Sequence, residues 1–259
     1  KFIFGKRDSI HIIDLTQTLE LTKVALEKVY STISSGGKIL FISTKKQASE
    51  AIAELAKATN QYYVNHRWLG GMLTNWKTIS NSIKRYKKLC EELKKENTGF
   101  TKKEFLKMGT ERDKLERSLG GIAEMKKVPD MIFIIDTNIE SLAVKEAQKL
   151  NIPIVAIVDT NSDPTGINFP IPGNDDARRA INLYCELAKI TILDAQKNIS
   201  TESNNDLKNK LDKKKEVKEE KRPEAKEEEK KPKVKKIEKD KKSTSIFSKI
   251  KKLATKKSK

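Results

Sequence analysis

The sequence predicts an α/β fold in which a mostly parallel β-sheet lies between two layers of helices. Three observations support this fold class. Continuous apolar runs occupy residues 38–43, 131–136 and 154–159, as is typical of strands that are buried on both faces. Longer segments between these runs carry apolar residues at helical spacing. Polar, turn-forming residues follow the runs, as they do at the carboxyl ends of parallel strands.

The first half of the chain alternates strand and helix. Residues 10–13 are a short β-rich run, and residues 16–35 have a helical period with Thr16 as the N-cap and Gly36-Gly37 as the stop. The sequence KILFIS at residues 38–43 predicts a compact strand, and the Ala-rich residues 47–59 predict a helix. Residues 62–64 predict another short strand.

The alternation resumes after residue 130. We predict a strand at 131–136, a helix at 139–150, a strand at 154–159 and a closing helix at 176–195, capped by Asn174 or Asp175. Together with the first half, these elements predict a three-layer sandwich with a flavodoxin-like or Rossmann-like sheet. We assign residues 1–74 and 123–196 to this domain.

A segment with a different period interrupts the sandwich at residues 75–122. Two series of mainly apolar residues are each spaced in a 3-4-3-4-3 pattern, which predicts an antiparallel coiled-coil hairpin. The first series is Trp76, Ile79, Ile83, Tyr86, Cys90 and Leu93, and the second is Phe105, Met108, Arg112, Leu115, Leu119 and Ile122. Arg112 is the charged member, and we expect it to extend to solvent or to pair across the hairpin with a glutamate.

The tail, residues 197–259, carries most of the charge. It contains 24 Lys and Arg against 12 Asp and Glu, which accounts for about +12 of the chain's formal +18. Residues 198 to about 245 are too polar to form a core, so we predict disorder with fluctuating helix. The last residues place Ile246, Phe247, Ile250 and Leu253 on one helical face. This segment either folds on a partner or stays solvated.

The charge favours an anionic partner, and nucleic acid fits better than lipid. No window approaches the ~20 apolar residues of a membrane span, so we expect a cytoplasmic protein without membrane association. Cys90 and Cys185 have no CxxC partner and are interpreted as small buried hydrophobes.

Catalytic motifs are missing from the sequence. Only His11 and His66 occur, without an HExxH motif, and SSGGK at residues 34–38 lacks the first glycine and the final Ser or Thr of a P-loop. We therefore predict a non-enzymatic protein with no small-molecule substrate. Asp136, Asp159 and Asp163 either surround a structural divalent ion or form turns and caps. We favour the second interpretation and predict no cofactor.

Residues 67–77 are the more suggestive candidates for recognition. Gly70 and Gly71 permit a sharp bend beside donors and large aromatic rings, a combination that suits RNA, although Trp68 and Trp76 could instead wedge the hairpin against the sandwich. Arginines at the start of the closing helix oppose its dipole, which a bound anion would explain. The candidate rRNA-binding residues are Arg67, Trp68, Asn75, Lys77, Arg85, Asn161, Asn174, Arg178 and Arg179.

Four stretches resemble a known family. They are RWLGGMLTNWKT at 67–78, PDMIFIIDTNIESLAVKEAQKLNIP at 129–153, and the VDTNSDP and IPGNDDA runs between residues 157 and 177. They are similar to the bacterial and organellar family of small-subunit ribosomal protein two, and the similarity covers about residues 2–195. Members of that family normally carry a further amino-terminal segment with histidines and aromatic residues, so the resemblance implies a truncated or processed chain.

The resemblance implies a structural constituent of the small ribosomal subunit. The sandwich would bind rRNA near the junction of head and body, and the hairpin would project as an arm. Neighbouring ribosomal proteins would be partners, including ribosomal protein one, which captures messenger RNA. Two alternatives remain open from the residues themselves: an α/β enzyme or nucleotide-binding module that uses the loops after Asp136 and Asp159, and an RNA-binding adaptor with a basic tail.

Overall fold

A computed structural model describes residues 2–95 and 101–219, with side chains as far as residue 199. The chain divides into two compact units, Lys1–Lys210 and Leu211–Lys259. In chain order the elements are β1 (Ile3–Arg7), β2 (Ile10–Ile13), α1 (Leu15–Ser34), β3 (Ile39–Ile42), α2 (Lys46–Thr59), β4 (Tyr62–Val64), α3 (Trp76–Lys94), α4 (Lys102–Leu119), a 3₁₀ turn (Gly120–Ile122), β5 (Met131–Ile135), α5 (Ser141–Lys149), β6 (Ile154–Val158), β7 (Phe169–Pro172) and α6 (Arg178–Glu219).

Five strands form one parallel sheet in the order β4-β3-β5-β6-β7. Counted within the sheet, this is the order 2-1-3-4-5 of flavodoxin-like folds, so the predicted fold class is confirmed. The sequence analysis did not predict β7, because its FPIP sequence contains two prolines. Proline is tolerated there since β7 is an edge strand.

Strand residues alternate between the two faces of the sheet. On one face, Phe41 and Phe133 pack with α1, α2 and α6, and their ring centroids lie 5.4 Å apart. On the other face, Ile42 and Ile134 pack with α5, with the base of the α3–α4 hairpin and with the loop around Met72. The sheet is therefore the middle of three layers.

The start of α1 differs from the prediction. Asp14, and not Thr16, is the N-cap, because its carboxylate accepts hydrogen bonds from the backbone N of Thr16 (3.0 Å) and from the side chain of Gln17 (2.8 Å). Before α1, β1 and β2 pair antiparallel, which confirms the predicted strand at residues 10–13.

The predicted hairpin is formed by α3 and α4. Ile79 and Ile83 are buried against the sandwich, and Leu89 is buried further along α3, whereas Phe105 on α4 is 44 % exposed. Packing along the hairpin is therefore uneven. Arg112 donates to the adjacent Asp113 (Nε to Oδ1, 2.9 Å) and not to a glutamate of the facing helix. The ion pair that crosses the hairpin joins Arg85 to Glu111.

The closing helix α6 runs to Glu219, well past its predicted end at residue 195. Residues 196–219 contain seven Lys and no Pro or Gly, so helix propensity continues into the segment for which we predicted disorder with fluctuating helix. Residues 220–259, including the predicted amphipathic segment from Ile246 to Leu253, lie outside the described residues. Across residues 2–95 and 101–219, none of the helices is both long and apolar enough for a membrane span.

Buried Cys185 is free, as is the half-buried Cys90. Burial raises the pKa of the Cys185 thiol to about 12. A thiol with so high a pKa stays protonated and behaves as a small hydrophobe.

Candidate nucleic-acid interface and sheet edge

The carboxyl edge of the sheet carries a buried ion-pair cluster. In this strand order the topological switch point lies between β3 and β5, where ligands of such folds bind. Lys45 follows β3 and Asp136 follows β5, and the Lys45 ammonium lies 3.1 Å from Asp136 Oδ2. It also lies 2.7 Å from Asp175 Oδ1 and 2.6 Å from Asp176 Oδ1. We call these four residues the Lys45 cluster.

The Lys45 cluster combines attraction between Lys45 and its three carboxylates with repulsion among the carboxylates. Burial acts to lower the pKa of Lys45, but the three carboxylates outweigh burial and raise it. Burial raises the pKa of Asp175, and the negative charges of Asp136 and Asp159 add to that effect while Lys45 opposes it. The ammonium is therefore held in its charged form, and it lies at the switch point of the sheet.

Asp136 also shapes the turn after β5. Its Oδ1 accepts hydrogen bonds from the backbone N of Asn138 (3.0 Å) and Ile139 (3.2 Å). Its backbone has a φ of 69°, a left-handed conformation that Asp tolerates through such local bonds. Asp163 similarly accepts from the backbone N (2.9 Å) and hydroxyl (2.6 Å) of Thr165. These contacts agree with the predicted turn and cap roles.

The three carboxylates that lie close together are not the three considered in the sequence analysis. Asp159, Asp175 and Asp176 each offer an oxygen within 4.8 Å of the others, whereas Asp163 is held in its own turn. Oxygen donors of this kind suit a hard divalent cation. Lys45 supplies one positive charge to Asp175 and Asp176, which offsets only part of the negative charge of the trio.

A second carboxylate, that of Glu146 on α5, fixes the loop of residues 68–74. Its Oε1 accepts from Trp68 Nε1 (3.1 Å) and from the backbone N of Gly71 (2.8 Å). Its Oε2 accepts from the backbone N of Leu73 (2.9 Å) and from both the backbone N and the hydroxyl of Thr74 (3.1 Å each). Burial acts to raise the pKa of Glu146, but these hydrogen bonds outweigh it and lower the pKa.

Gly71 lets this loop wrap around the carboxylate, because its φ is 80°, a conformation that glycine adopts without strain. Sequence reasoning recognised the bend at Gly70-Gly71 but missed Glu146 and Lys45. A nest of backbone N–H groups binds anions, so the bend at Gly70-Gly71 was the one signal in the sequence for a carboxylate at this loop.

One group of candidate rRNA-binding residues lies after β4 and along α3. Arg67 and Lys77 are exposed, and Asn75 precedes α3 and accepts from the hydroxyl of Thr78 (2.9 Å). Arg85 is exposed but paired with Glu111. Trp68 is only 7 % exposed and belongs to the core. Its ring agrees with the wedge interpretation, and we leave it out of the proposed surface.

The other group lies after β6 and β7. Asn161 is exposed. Asn174 accepts from the backbone N of Asp176 and Ala177 (2.8 Å each), which closes a turn just before α6 and does not cap the helix itself, because α6 begins only at Arg178. Arg178 and Arg179 are exposed at the start of α6. Because β4 and β7 are the two edge strands, four strand spacings, or about 19 Å, separate the strand ends that carry the two groups.

Comparisons with known proteins show which family this chain resembles. The family model described as Ribosomal protein S2 matches residues 1–195. The small ribosomal subunit protein uS2 of Gluconacetobacter diazotrophicus is 58 % identical over 193 residues, which cover 74 % of each chain. The uS2 proteins of Chelativorans sp. (58 % identical) and Methylocella silvestris (60 % identical) match 74 % of this chain and 72 % and 55 % of their own lengths, respectively.

Proposed function

The chain belongs to the ribosomal protein S2 family, and we propose that it is a structural constituent of the small ribosomal subunit that binds its rRNA. The observation that carries the proposal is the match across residues 1–195, together with relatives that are named small ribosomal subunit proteins. Membership of a ribosomal protein family agrees with the predicted non-enzymatic role.

The exposed cations support rRNA binding at both ends of the sheet edge. Arg67, Lys77, Arg178 and Arg179 form no ion pair with any residue in the described part of the chain, so their charges are available to phosphates. Phosphate contacts supply most of the affinity of such interfaces. The amino-terminal end of α6 adds a partial positive charge beside the two arginines.

The Lys45 cluster argues against the enzyme or nucleotide-binding alternative. That alternative uses the loops after Asp136 and Asp159, at the switch point of the sheet. There the carboxylates are engaged by Lys45 and by backbone N–H groups. A phosphate brought to this edge would have to displace an internal ion pair.

The family resemblance further supports a role in recruiting ribosomal protein one, beside contacts with neighbouring small-subunit proteins. We would measure how much ribosomal protein one copurifies with small subunits that contain or lack this chain. An equal amount on both kinds of subunit would contradict recruitment and would leave the structural role intact.

Sedimentation of cell lysate tests the main proposal. The chain should comigrate with small subunits, whereas an enzyme would stay at the top of the gradient. The adaptor alternative is tested by removing residues 211–259, the second compact unit, and measuring binding to small-subunit rRNA. If the remaining chain is folded but does not bind small-subunit rRNA, and the removed tail accounts for all of the binding, the ribosomal assignment loses its support.

A further inference from the structure

A polar groove lies outside the rRNA-binding candidates described above. It has a volume of about 370 Å³ and opens between the edge strand β4, α2 and the last turns of α4. One wall comes from the sandwich and includes Lys57, Asn65 and His66, and the other comes from α4 and includes Asp113 and Arg117. A space of this size suits one small ligand or one residue of a polymer.

An aromatic ring forms part of the groove. Tyr63 is half-buried on β4, and a β-carbon at position 121 would lie 2.8 Å from its ring. Glycine at 121 therefore lets the 3₁₀ turn pack directly against the tyrosine and fix its position. The ammonium of Lys57 lies 5.8 Å from the ring centroid, near the ~6 Å limit of a cation–π contact, so this lysine is only loosely held.

The polar groups around the ring are largely unused. Among the residues that the structure describes, Lys57 and Arg117 have no ion-pair partner. The side-chain nitrogen of Asn65 donates to the backbone O of Ser49 (3.2 Å), which fixes the amide and leaves its oxygen as an acceptor. The α4 wall adds the carboxylate of Glu116 and that of Asp113, whose Oδ1 already accepts from Arg112.

From this combination we propose that the groove binds one unpaired nucleotide of rRNA. Lys57 and Arg117 would contact the phosphate, and the base would stack on the ring of Tyr63 or His66. The acceptors of Asn65 and the α4 carboxylates would receive hydrogen bonds from an amino group of the base. A duplex presents neither an isolated base nor a single phosphate to such a groove. This inference rests on the proposed function.

Ultraviolet crosslinking followed by mass spectrometry tests the groove in two samples: small subunits that contain the chain, and the full chain mixed with a short single-stranded RNA. We expect a nucleotide adduct on Tyr63 or His66 in both samples. The double variant Lys57→Ala, Arg117→Ala should lower the adduct yield about tenfold, whereas Lys189→Ala, which removes an exposed charge elsewhere, should not. Tyr63→Phe keeps the ring and should retain RNA affinity, and Tyr63→Leu should lower it about tenfold.

Different experimental results would refute nucleotide binding in the groove and the proposed ribosomal function. Subunits that contain the chain and give adducts only on other peptides would overturn the groove and keep the ribosomal role. A protein adduct in place of a nucleotide adduct on Tyr63 or His66 would also overturn it. If the chain does not sediment with small subunits, the ribosomal role fails, and the oligonucleotide sample still decides the groove.

Discussion

Replacing Glu146 by Gln should loosen the loop that joins the sandwich to the hairpin. The carboxylate accepts five hydrogen bonds, two at Oε1 and three at Oε2. Glutamine keeps one oxygen and places an NH₂ group where the other stood, so in either orientation the NH₂ faces at least two donors. Hydrogen bonds to a charged group contribute about 1.5–3 kcal/mol each. Because Glu146 is partly exposed, we take the lower value for the two lost bonds and expect a destabilisation of about 3 kcal/mol.

The effect should depend on pH. Hydrogen bonding lowers the pKa of Glu146 below its ordinary 4.5 in the folded chain, so the folded state favours the carboxylate. The stabilisation is therefore complete above the unfolded-state pKa and is lost as the pH falls through the folded-state pKa. The stability difference between the wild type and Glu146→Gln should be largest near neutral pH and should shrink in acid.

Urea unfolding at neutral and acidic pH measures both effects. Glu54→Gln is the matched control, since Glu54 is exposed on α2 and should change stability by less than about 0.5 kcal/mol. Limited proteolysis should cleave the 68–74 loop faster in Glu146→Gln. Equal unfolding midpoints for wild type and Glu146→Gln at neutral pH, or a difference that persists unchanged in acid, would refute the reasoning.

Three further predictions concern the hairpin, the rRNA surface and the Lys45 cluster. Ile83→Asp should bury an unpaired charge at the hairpin base, cost several kcal/mol locally and lower incorporation of the chain into subunits. Hydrogen exchange should show loss of protection in α3 while the sheet keeps its protection. Normal incorporation with a melted hairpin would show that the arm is dispensable. Arg67→Ala and Arg178→Ala should each reduce the slope of log affinity for rRNA against log salt by about one, and unchanged slopes would make both ordinary surface residues. Lys45→Met should destabilise the fold by about 3–5 kcal/mol in urea unfolding, because it leaves two buried carboxylates without their cation; a stability equal to that of wild type would show that the cluster contributes nothing net.

Four of the five strands of the sheet could be predicted because each of the four is a continuous apolar run. The run at 131–136 matches β5 (Met131–Ile135) to within one residue, since a strand buried on both faces needs apolar residues at every position. The same rule failed for β7, whose alternating prolines do not resemble a strand in sequence. Only its place at the edge of the sheet makes them acceptable.

The candidate site could be predicted only where its contacts are local. Asn174 was one of two predicted caps, and its side chain does accept locally, from the backbone N of the residues two and three positions further along the chain. Lys45 pairs with Asp136 and Asp175, which lie 91 and 130 residues further along the chain, and no sequence spacing links them. The buried position of Trp68 likewise involves a hydrogen bond to Glu146, 78 residues away.

The internal charge pairing bears on how a core with little net charge can bind RNA. The residues before the tail carry only about +6 of the chain's +18, which by itself argues for weak attraction. Several acids, however, are already engaged inside the fold, through ion pairs with Lys45 or through hydrogen bonds from the backbone donors around Glu146. The arginines at the two ends of the sheet edge have no such partners among the side chains described here. Local pairing, more than net charge, therefore sets the positive charge that a phosphate would meet at Arg67 or at Arg178 and Arg179. Because each of these charges is available to a phosphate, we expect single arginine substitutions at those ends to change the salt dependence of rRNA binding measurably.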